Sequence, residues 1–354
     1  MCKKAIIAMS GGVDSSVAAF LMKEKGFDCI GATMKLYDNE DISVSKEKTC
    51  CSLDDIEDAR AVARRLSMPY YVFNFKDEFK EKVIDKFIST YENGGTPNPC
   101  IDCNRYLKFK KLFQRMEELE YDYVVTGHYA KVVEKDGWFY LKKAVDDTKD
   151  QSYVLYSLTQ NQLSHILLPL GEYSKAEIRE IAEEQGFLNA RKKDSQDICF
   201  VPDGNYAAFI EGYNGKTYPA GNFIDKQGNV LGQHQGIIRY TNGQRKGLGV
   251  AFGKPMYVAD KDINHNTVTL CTNEELFSDE LTADDFNWLI LDPAKEIKCK
   301  ARVRYNMKEQ PATAYILENG RVKIVFDAPQ RAITKGQAVV LYDEDTVLGG
   351  GTII

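Results

Sequence analysis

The chain has 354 residues, 44% of them apolar, and a net charge of −6 with a pI near 5.5. That length exceeds a usual single domain, so two or three folded domains are expected; no apolar run reaches membrane-span length and no signal-peptide pattern opens the chain, so a membrane role is excluded and the expected compartment is the cytoplasm. The acidic balance argues against general polyanion binding but leaves room for a nucleic acid held by local basic patches.

In chain order, KKAIIAMS, FDCIGATMKL, MPYYVFNF and YDYVVTGHY are short apolar runs rich in β-branched and aromatic residues, which read as buried strands. Between them lie the helical patterns SSVAAFLMKEKG, SLDDIEDARAVARRLS with an N-cap signal at Ser52, DEFKEKVIDKFISTYENGG and NRYLKFKKLFQRMEELE. SKAEIREIAEEQGF adds a helix whose Ser174 and Glu177 are spaced as a capping box. Alternating strand and helix predict a parallel, helix-covered α/β sheet over residues 1–203. After about Pro202 the texture changes to glycine-punctuated alternating segments that read as antiparallel hairpins. They predict two small β-barrel domains, 204–272 and 273–354.

The turn in AMSGGVDSSVAAF joins a strand to a helix. Its glycines let backbone N–H groups approach an anion, the helix start adds unpaired donors and a positive dipole end, and Ser10, Ser15 and Ser16 add hydroxyls. No lysine follows the glycines, and in a P-loop that lysine serves γ-phosphoryl transfer. Phosphate binding is therefore expected with a different leaving group.

Nine cysteines in a reducing compartment predict no disulfide framework. Cys103 sits in NPCIDCN, where Pro97 and Pro99 enforce extended backbone and Asn104 is read as starting a helix. A thiol there is expected to be stabilised as thiolate, below the free value of about 8.5. Cys199, in DSQDICF, follows the last helix of the α/β half. Cys2, Cys29, Cys271 and Cys299 read as small buried hydrophobes. Cys50 and Cys51, adjacent beside an acidic helix, read either as metal or redox residues or as part of a loop.

SGGVDS resembles the PP-loop of the ATP pyrophosphatase superfamily. With GTPNPCIDCNRYLKF, VVTGHYA, DQSYVLYSL and DSQDICF following in order, the chain from Ala5 to the terminal LGGGTII resembles the tRNA-specific 2-thiouridylases. The resemblance implies a Rossmann-like fold of the adenine nucleotide alpha hydrolase type, and tRNA-uridine 2-sulfurtransferase activity on the wobble uridine. It implies ATP with Mg2+, held by Ala8, Met9, Ser10, Gly11, Gly12, Val13, Asp14 and Ser15, with Met34 on the adenine side and Gly127 at the end of a strand. Asp14 is the residue expected near magnesium. Cys199 would carry a persulfide received from a donor such as a cysteine desulfurase or relay protein, and Cys103 would resolve it. His128, Lys149, Asp150, Gln151, Arg304, Tyr305 and Gln337 match tRNA-contacting positions, with Arg245 and Lys246 in GQRKGLG a further basic patch. A second sulfur scheme stays open, in which Cys100, Cys103 and Cys199 hold a [4Fe–4S] cluster with one open iron. Two other functions also stay open: a PP-loop ligase that adds nitrogen, and a non-catalytic tRNA-binding module stapled by zinc.

Overall fold

The computed structural model describes residues 2–38, 53–192, 198–201 and 203–354. Ser52, Cys50, Cys51 and the first four residues of DSQDICF lie outside the described residues. The chain divides into two compact units, Met1–Val83 with Cys100–Gly204 and Asp345–Val347, and Ile84–Pro99 with Asn205–Glu344 and Leu348–Ile354.

In chain order the first elements are β1 (Lys4–Ala8), α1 (Val13–Glu24), β2 (Asp28–Lys35), α2 (Leu53–Arg65), β3 (Tyr70–Asn74) and α3 (Lys76–Phe79). A π turn, Lys80–Ile84, precedes α4 (Asp85–Glu92). Then come α5 (Pro99–Asp102), a π-helical run Cys103–Lys111, α6 (Leu112–Glu118), β4 (Tyr123–Val125), β5 (Ala130–Lys135), β6 (Trp138–Lys143), α7 (Gln160–Ser164), β7 (Ile166–Leu167) and α8 (Lys175–Glu184).

The sheet of the first unit has the order β3-β2-β1-β4-β7, and every pairing in it is parallel. Strand alternation sends Ala5 and Ile7 of β1 to one face, against residues of α1, α2 and α8, and Ile6 to the other, against Leu112, Phe113 and Met116 of α6. Both faces of β1 are thus buried, as in a parallel sheet, whereas the edge strand β3, expected to be buried, leaves Tyr71 and Val72 exposed because no further strand among the described residues pairs with it. The chain moves outward from β1 in both directions, so the gap between β1 and β4 is the topological switch point where such sheets bind ligands. The loop after β1 carries SGGVDS, and the loop after β4 carries Gly127.

Two differences from the sequence reading lie in this unit. A hairpin, β5–β6, turns at Asp136 and Gly137, both in the left-handed region with φ of 54° and 77°. The helix expected to begin at Asn104 begins instead at Pro99, because proline at a first helical position gives up only an N–H that would have no helical partner.

In the second unit, α9 (Tyr206–Asn214) precedes β8 (Gly221–Ile224), β9 (Val230–His234), β10 (Tyr257–Asp262) and β11 (Thr267–Cys271), which form a four-stranded sheet in the order β10-β11-β8-β9. Its two hairpins are antiparallel as expected, but β11 runs parallel to β8 where they meet. After the long connection Gln235–Met256 the chain re-enters in the direction of β9, so β10 runs with β9 and β11 with β8. Last come β12 (Phe277–Trp288), β13 (Glu296–Arg302), β14 (Gln310–Ile316), β15 (Val322–Arg331), β16 (Ala338–Asp343) and β17 (Thr346–Ile353). Their order β12-β15-β14-β13-β16-β17, with β17 also paired to β12, closes a six-stranded barrel around Leu281, Ala301, Ile324, Val339 and Leu341. No helix among the described residues is long and apolar enough to cross a membrane.

Candidate active site

The glycine loop is tied down from below and open above. Met9 is buried, its N–H donating to the Ala32 carbonyl at 2.9 Å and its carbonyl accepting from Thr33 Oγ1 at 2.7 Å. Gly11 has φ of +72°, and a Cβ there would meet the Asp55 carbonyl oxygen at 2.3 Å, so only glycine is accommodated. Gly12 caps α1 with no side-chain acceptor, leaving the first-turn amides of the helix to another partner. Two of the three hydroxyls expected to serve phosphate are engaged within the loop, since Ser15 Oγ and Ser16 Oγ each donate to the Gly12 carbonyl at 3.0 Å. Ser10 is the exposed one. Val13 is buried, while Ala8 and Met34 are half-buried near the ends of β1 and β2.

Gly127 faces this loop across the switch point. A Cβ on it would meet the Asp14 carbonyl carbon and the Ser15 nitrogen at 2.9 Å each. Asp14 itself is engaged: Lys175 Nζ donates to its two oxygens at 2.7 and 2.9 Å, and Tyr129 Oη donates to Oδ1 at 2.7 Å. Neither Lys175 nor Tyr129 was among the residues expected at the site. On the far side of the loop, Asn189 Nδ2 reaches the Gly11 carbonyl and Ser16 Oγ, both at 2.9 Å, while its buried Oδ1 has no hydrogen-bond partner among the described residues. Lys192 joins Asp55 and Asp58 at 2.6 Å each. Burial opposes its charge, but the hydrogen bonds to the two carboxylates prevail and hold the ammonium above the usual lysine value.

The DQS segment supports the same loop from behind. Gln151 Oε1 accepts from the Tyr129 N–H at 3.0 Å, and the Gln151 N–H donates to the Tyr129 carbonyl at 2.8 Å. Asp150 is buried, accepting from the N–H groups of Ala144 and Ser152 at 3.2 Å and from Ser152 Oγ at 2.9 Å. Lys149 is half-buried, its N–H on the Asp146 carbonyl at 3.0 Å. His128 is buried, with Nδ1 2.7 Å from Thr126 Oγ1 and Nε2 3.5 Å from Lys108 Nζ. Burial, with the Lys108 charge added, drives its pKa well below the usual histidine range, so the ring is neutral.

Cys103 is half-buried and begins the π-helical run, while Cys100 is exposed one turn earlier. Burial pushes the Cys103 thiol up to about 11; the Lys108 charge lowers it, and Cys100 and Asp102 add to the rise. The expected thiolate is therefore a thiol at neutral pH. With the helix starting at Pro99, Cys103 lies past the first turn, where the dipole effect has faded. Next to it, Asn104 is buried, its Nδ2 on the Val154 carbonyl at 3.0 Å and its Oδ1 without a partner among the described residues. Cys199 is half-buried, its carbonyl accepting from Tyr37 Oη at 3.0 Å. Phe79 fixes that segment, lying 5.7 Å from the Tyr37 ring and 5.6 Å from the Phe200 ring. Among the described residues no three histidine, cysteine, aspartate or glutamate side chains converge to hold a metal. Cys100, Cys103 and Cys199 thus form no three-thiolate cradle among the described residues. Of the cysteines read as buried hydrophobes, Cys29 and Cys271 are buried, Cys299 is half-buried and Cys2 is exposed at the chain start.

In the second unit, Arg304 Nη2 donates to the Asn242 and Ala332 carbonyls at 3.0 Å each and to Thr334 Oγ1 at 2.5 Å. The Tyr305 carbonyl accepts from Arg302. Gln337 Nε2 holds the carbonyls of Thr96 and Pro97 at 2.9 and 3.1 Å. These residues brace turns within their unit. Arg245 and Lys246 are exposed.

A parallel, doubly covered sheet with a lysine-free glycine loop at its switch point, followed by β domains, defines the class: an α/β enzyme domain of the HUP type with β appendages. The family models that match are the tRNA methyl transferase HUP domain over residues 3–203, the tRNA methyl transferase PRC-barrel domain over 207–272 and the aminomethyltransferase β-barrel domain over 278–353. Over its full length the chain is 53% identical to the tRNA-specific 2-thiouridylase MnmA of Clostridioides difficile (strain 630), covering 98% of that protein. It is 51% identical to the MnmA of Clostridium acetobutylicum, covering 100% of both chains. The chain belongs to the tRNA-specific 2-thiouridylase MnmA family. Among solved structures it is similar to the U34-tRNA thiolase NcsA from Methanococcus maripaludis with its [4Fe-4S] cluster, at 19% identity and a TM-score of 0.37 over 60% of this chain and 72% of that one. A 4-thiouridine synthetase–RNA complex with bound ATP matches at 21% identity and a TM-score of 0.36, over 60% and 50%. Likeness at those scores carries no weight for the site.

Proposed function

We propose that this chain replaces the two-position oxygen of a tRNA wobble uridine by sulfur, consuming ATP, through Cys199 and Cys103. Family membership supports tRNA thiolation. The observation that carries the ATP reading is the uncapped start of α1 at the switch point, where Gly127 lets the loop after β4 pack directly on the Asp14–Ser15 peptide. Backbone amides there bind and orient phosphate without a loop lysine. Bound ATP supplies an adenylate leaving group for the uridine oxygen, with pyrophosphate departing, and Asp14 is the residue that would hold magnesium to offset phosphate charge. Glycine at 11 and 127 lets the Asp55 and Asp14–Ser15 backbones pack closely round the helix start and hold its amides in place.

The sulfur steps balance as follows. The terminal sulfur of a Cys199 persulfide, received from a cysteine desulfurase or relay protein, bonds the uridine carbon as AMP leaves with its oxygen. The Cys103 sulfur, once deprotonated, attacks Cys199 Sγ, and the bond between the two persulfide sulfurs breaks with its electron pair going to the sulfur on uridine. Thiouridine and a Cys103–Cys199 disulfide result, and an external thiol reductant restores both cysteines. In this reading residues 1–203 form the catalytic domain, 204–272 a central β domain and 273–354 a tRNA-contacting barrel, with His128, Lys149–Gln151, Arg304, Tyr305 and Gln337 shaping the surfaces that meet tRNA. The enzyme would act in the cytoplasm.

The test is to incubate protein, ATP, a persulfide donor and unmodified tRNA and to analyse the nucleosides by mass. Oxygen replaced by sulfur, lost in Cys103→Ser and in Cys199→Ser, supports the reading. A methyl gain, or ATP turnover with nitrogen incorporated, replaces it with another activity.

A further inference from the structure

The glycine loop lacks the lysine that phosphate loops commonly carry, yet an ammonium stands on it from elsewhere. We propose that Lys175 is the phosphate-binding cation of this site, supplied by α8 rather than by the loop. This rests on the ATP reading above.

Four observations carry it. Lys175 is the first residue of α8, where the positive end of the helix dipole disfavours a cation, so its place there conflicts with local electrostatics and calls for a reason outside the helix. The side chain leaves the helix and meets both Asp14 oxygens at 2.7 and 2.9 Å, with only 11% of it exposed. Asp14 lies in the first turn of the uncapped α1, so its negative charge sits where phosphate would bind, and Lys175 adds a fixed positive charge there beside any magnesium that Asp14 would hold. The ammonium is also aimed by its surroundings: its backbone N–H donates to Asp146 Oδ2 at 3.1 Å, the capping box of Ser174 and Glu177 fixes the helix start, and Nζ stands 5.7 Å from the centre of the Tyr129 ring.

Lys175 therefore pairs with Asp14 and, when polyphosphate occupies the loop, donates to the oxygens of the departing β,γ-pyrophosphate. It stabilises the negative charge that moves onto pyrophosphate as the bond from the α-phosphorus to the bridging oxygen breaks. A residue that only neutralised Asp14 would support every adenine nucleotide equally, whereas one that touches the β,γ-phosphates distinguishes ATP from AMP.

The experiment measures binding of ATP, pyrophosphate and AMP to the full chain by calorimetry, for the parent, Lys175→Met and Lys175→Arg. The methionine variant is expected to lose roughly ten-fold or more in affinity for ATP and pyrophosphate, with AMP affinity unchanged and arginine restoring most of the loss. Unchanged AMP binding also reports that the methionine variant is folded. Equal losses for ATP and AMP, or no loss for ATP, overturn the proposal. A parent chain that binds neither ATP nor pyrophosphate overturns the ATP reading itself and this inference with it, a result distinct from ATP binding that ignores Lys175.

Discussion

Two helix starts lie in the same α/β unit and are finished in opposite ways. At α8, Ser174 Oγ accepts from the Glu177 N–H at 3.3 Å and the Glu177 carboxylate accepts from the Ser174 N–H at 2.7 Å, so the helix satisfies its own first turn. At α1, glycine occupies the cap and no side chain closes the turn, although Ser10 lies just ahead of it and Ser15 and Ser16 stand in the first turn. The available hydroxyls of Ser15 and Ser16 are spent on the Gly12 carbonyl instead. A helix that could be capped and is not has its donors available for a ligand. The difference between stability and function can thus be read from which backbone groups the side chains decline to satisfy.

The largest effect that would break this contrast is at Asp14. Asp14→Ala should abolish ATP-dependent activation of the uridine while leaving tRNA binding largely intact, as measured by pyrophosphate release beside a filter-binding assay; undiminished release would remove Asp14 from the site. Next comes Cys103, whose helix start confers no thiolate character. Its alkylation at neutral pH should run on the order of a hundred-fold slower than that of free cysteine, because the thiol is pushed up to about 11. The rate should climb about ten-fold per pH unit until that value is reached. A plateau below pH 9 would show that Lys108 outweighs burial. Gly127→Ala should lower activity on the order of 100-fold, since its Cβ displaces the Asp14–Ser15 peptide and so misplaces the reacting groups. An unaltered rate in the folded variant would show that the packing of Gly127 on the helix start does not position the reacting groups. The smallest effect belongs to the capped helix: Ser174→Ala should cost about 1 kcal/mol in urea unfolding and shift ATP affinity far less than Gly127→Ala does.

Much of this was legible in the sequence where local chemistry decides. The four strands, the glycine loop and the Ser174–Glu177 box announce themselves through period, turn residues and spacing. The β5–β6 hairpin has its own local signal, the Asp136-Gly137 pair between alternating segments. The helix start at Pro99 was obscured because proline is read more readily as a breaker than as a first-turn residue. Lys175 and Asn189 were hidden for a different reason. They reach Asp14 and Gly11 across 161 and 178 residues, and only the packing of the completed fold brings those positions together. The parallel contact of β11 with β8 is of the same kind, set by how a long connection returns.

The π-helical run from Cys103 to Lys111 has its own chemical consequence. Its winding closes hydrogen bonds across five residues, as the Leu112 N–H does with the Leu107 carbonyl. A side chain five positions along then comes back over its predecessor, and Lys108 is five positions after Cys103. Ordinary α winding would carry position 108 about 140° round the axis, away from the sulfur. The wider coil works as a length gauge for the thiol's electrostatics. Rewinding the run as an ordinary α-helix without changing its length would turn Lys108 away from Cys103 while leaving both side chains in the chain.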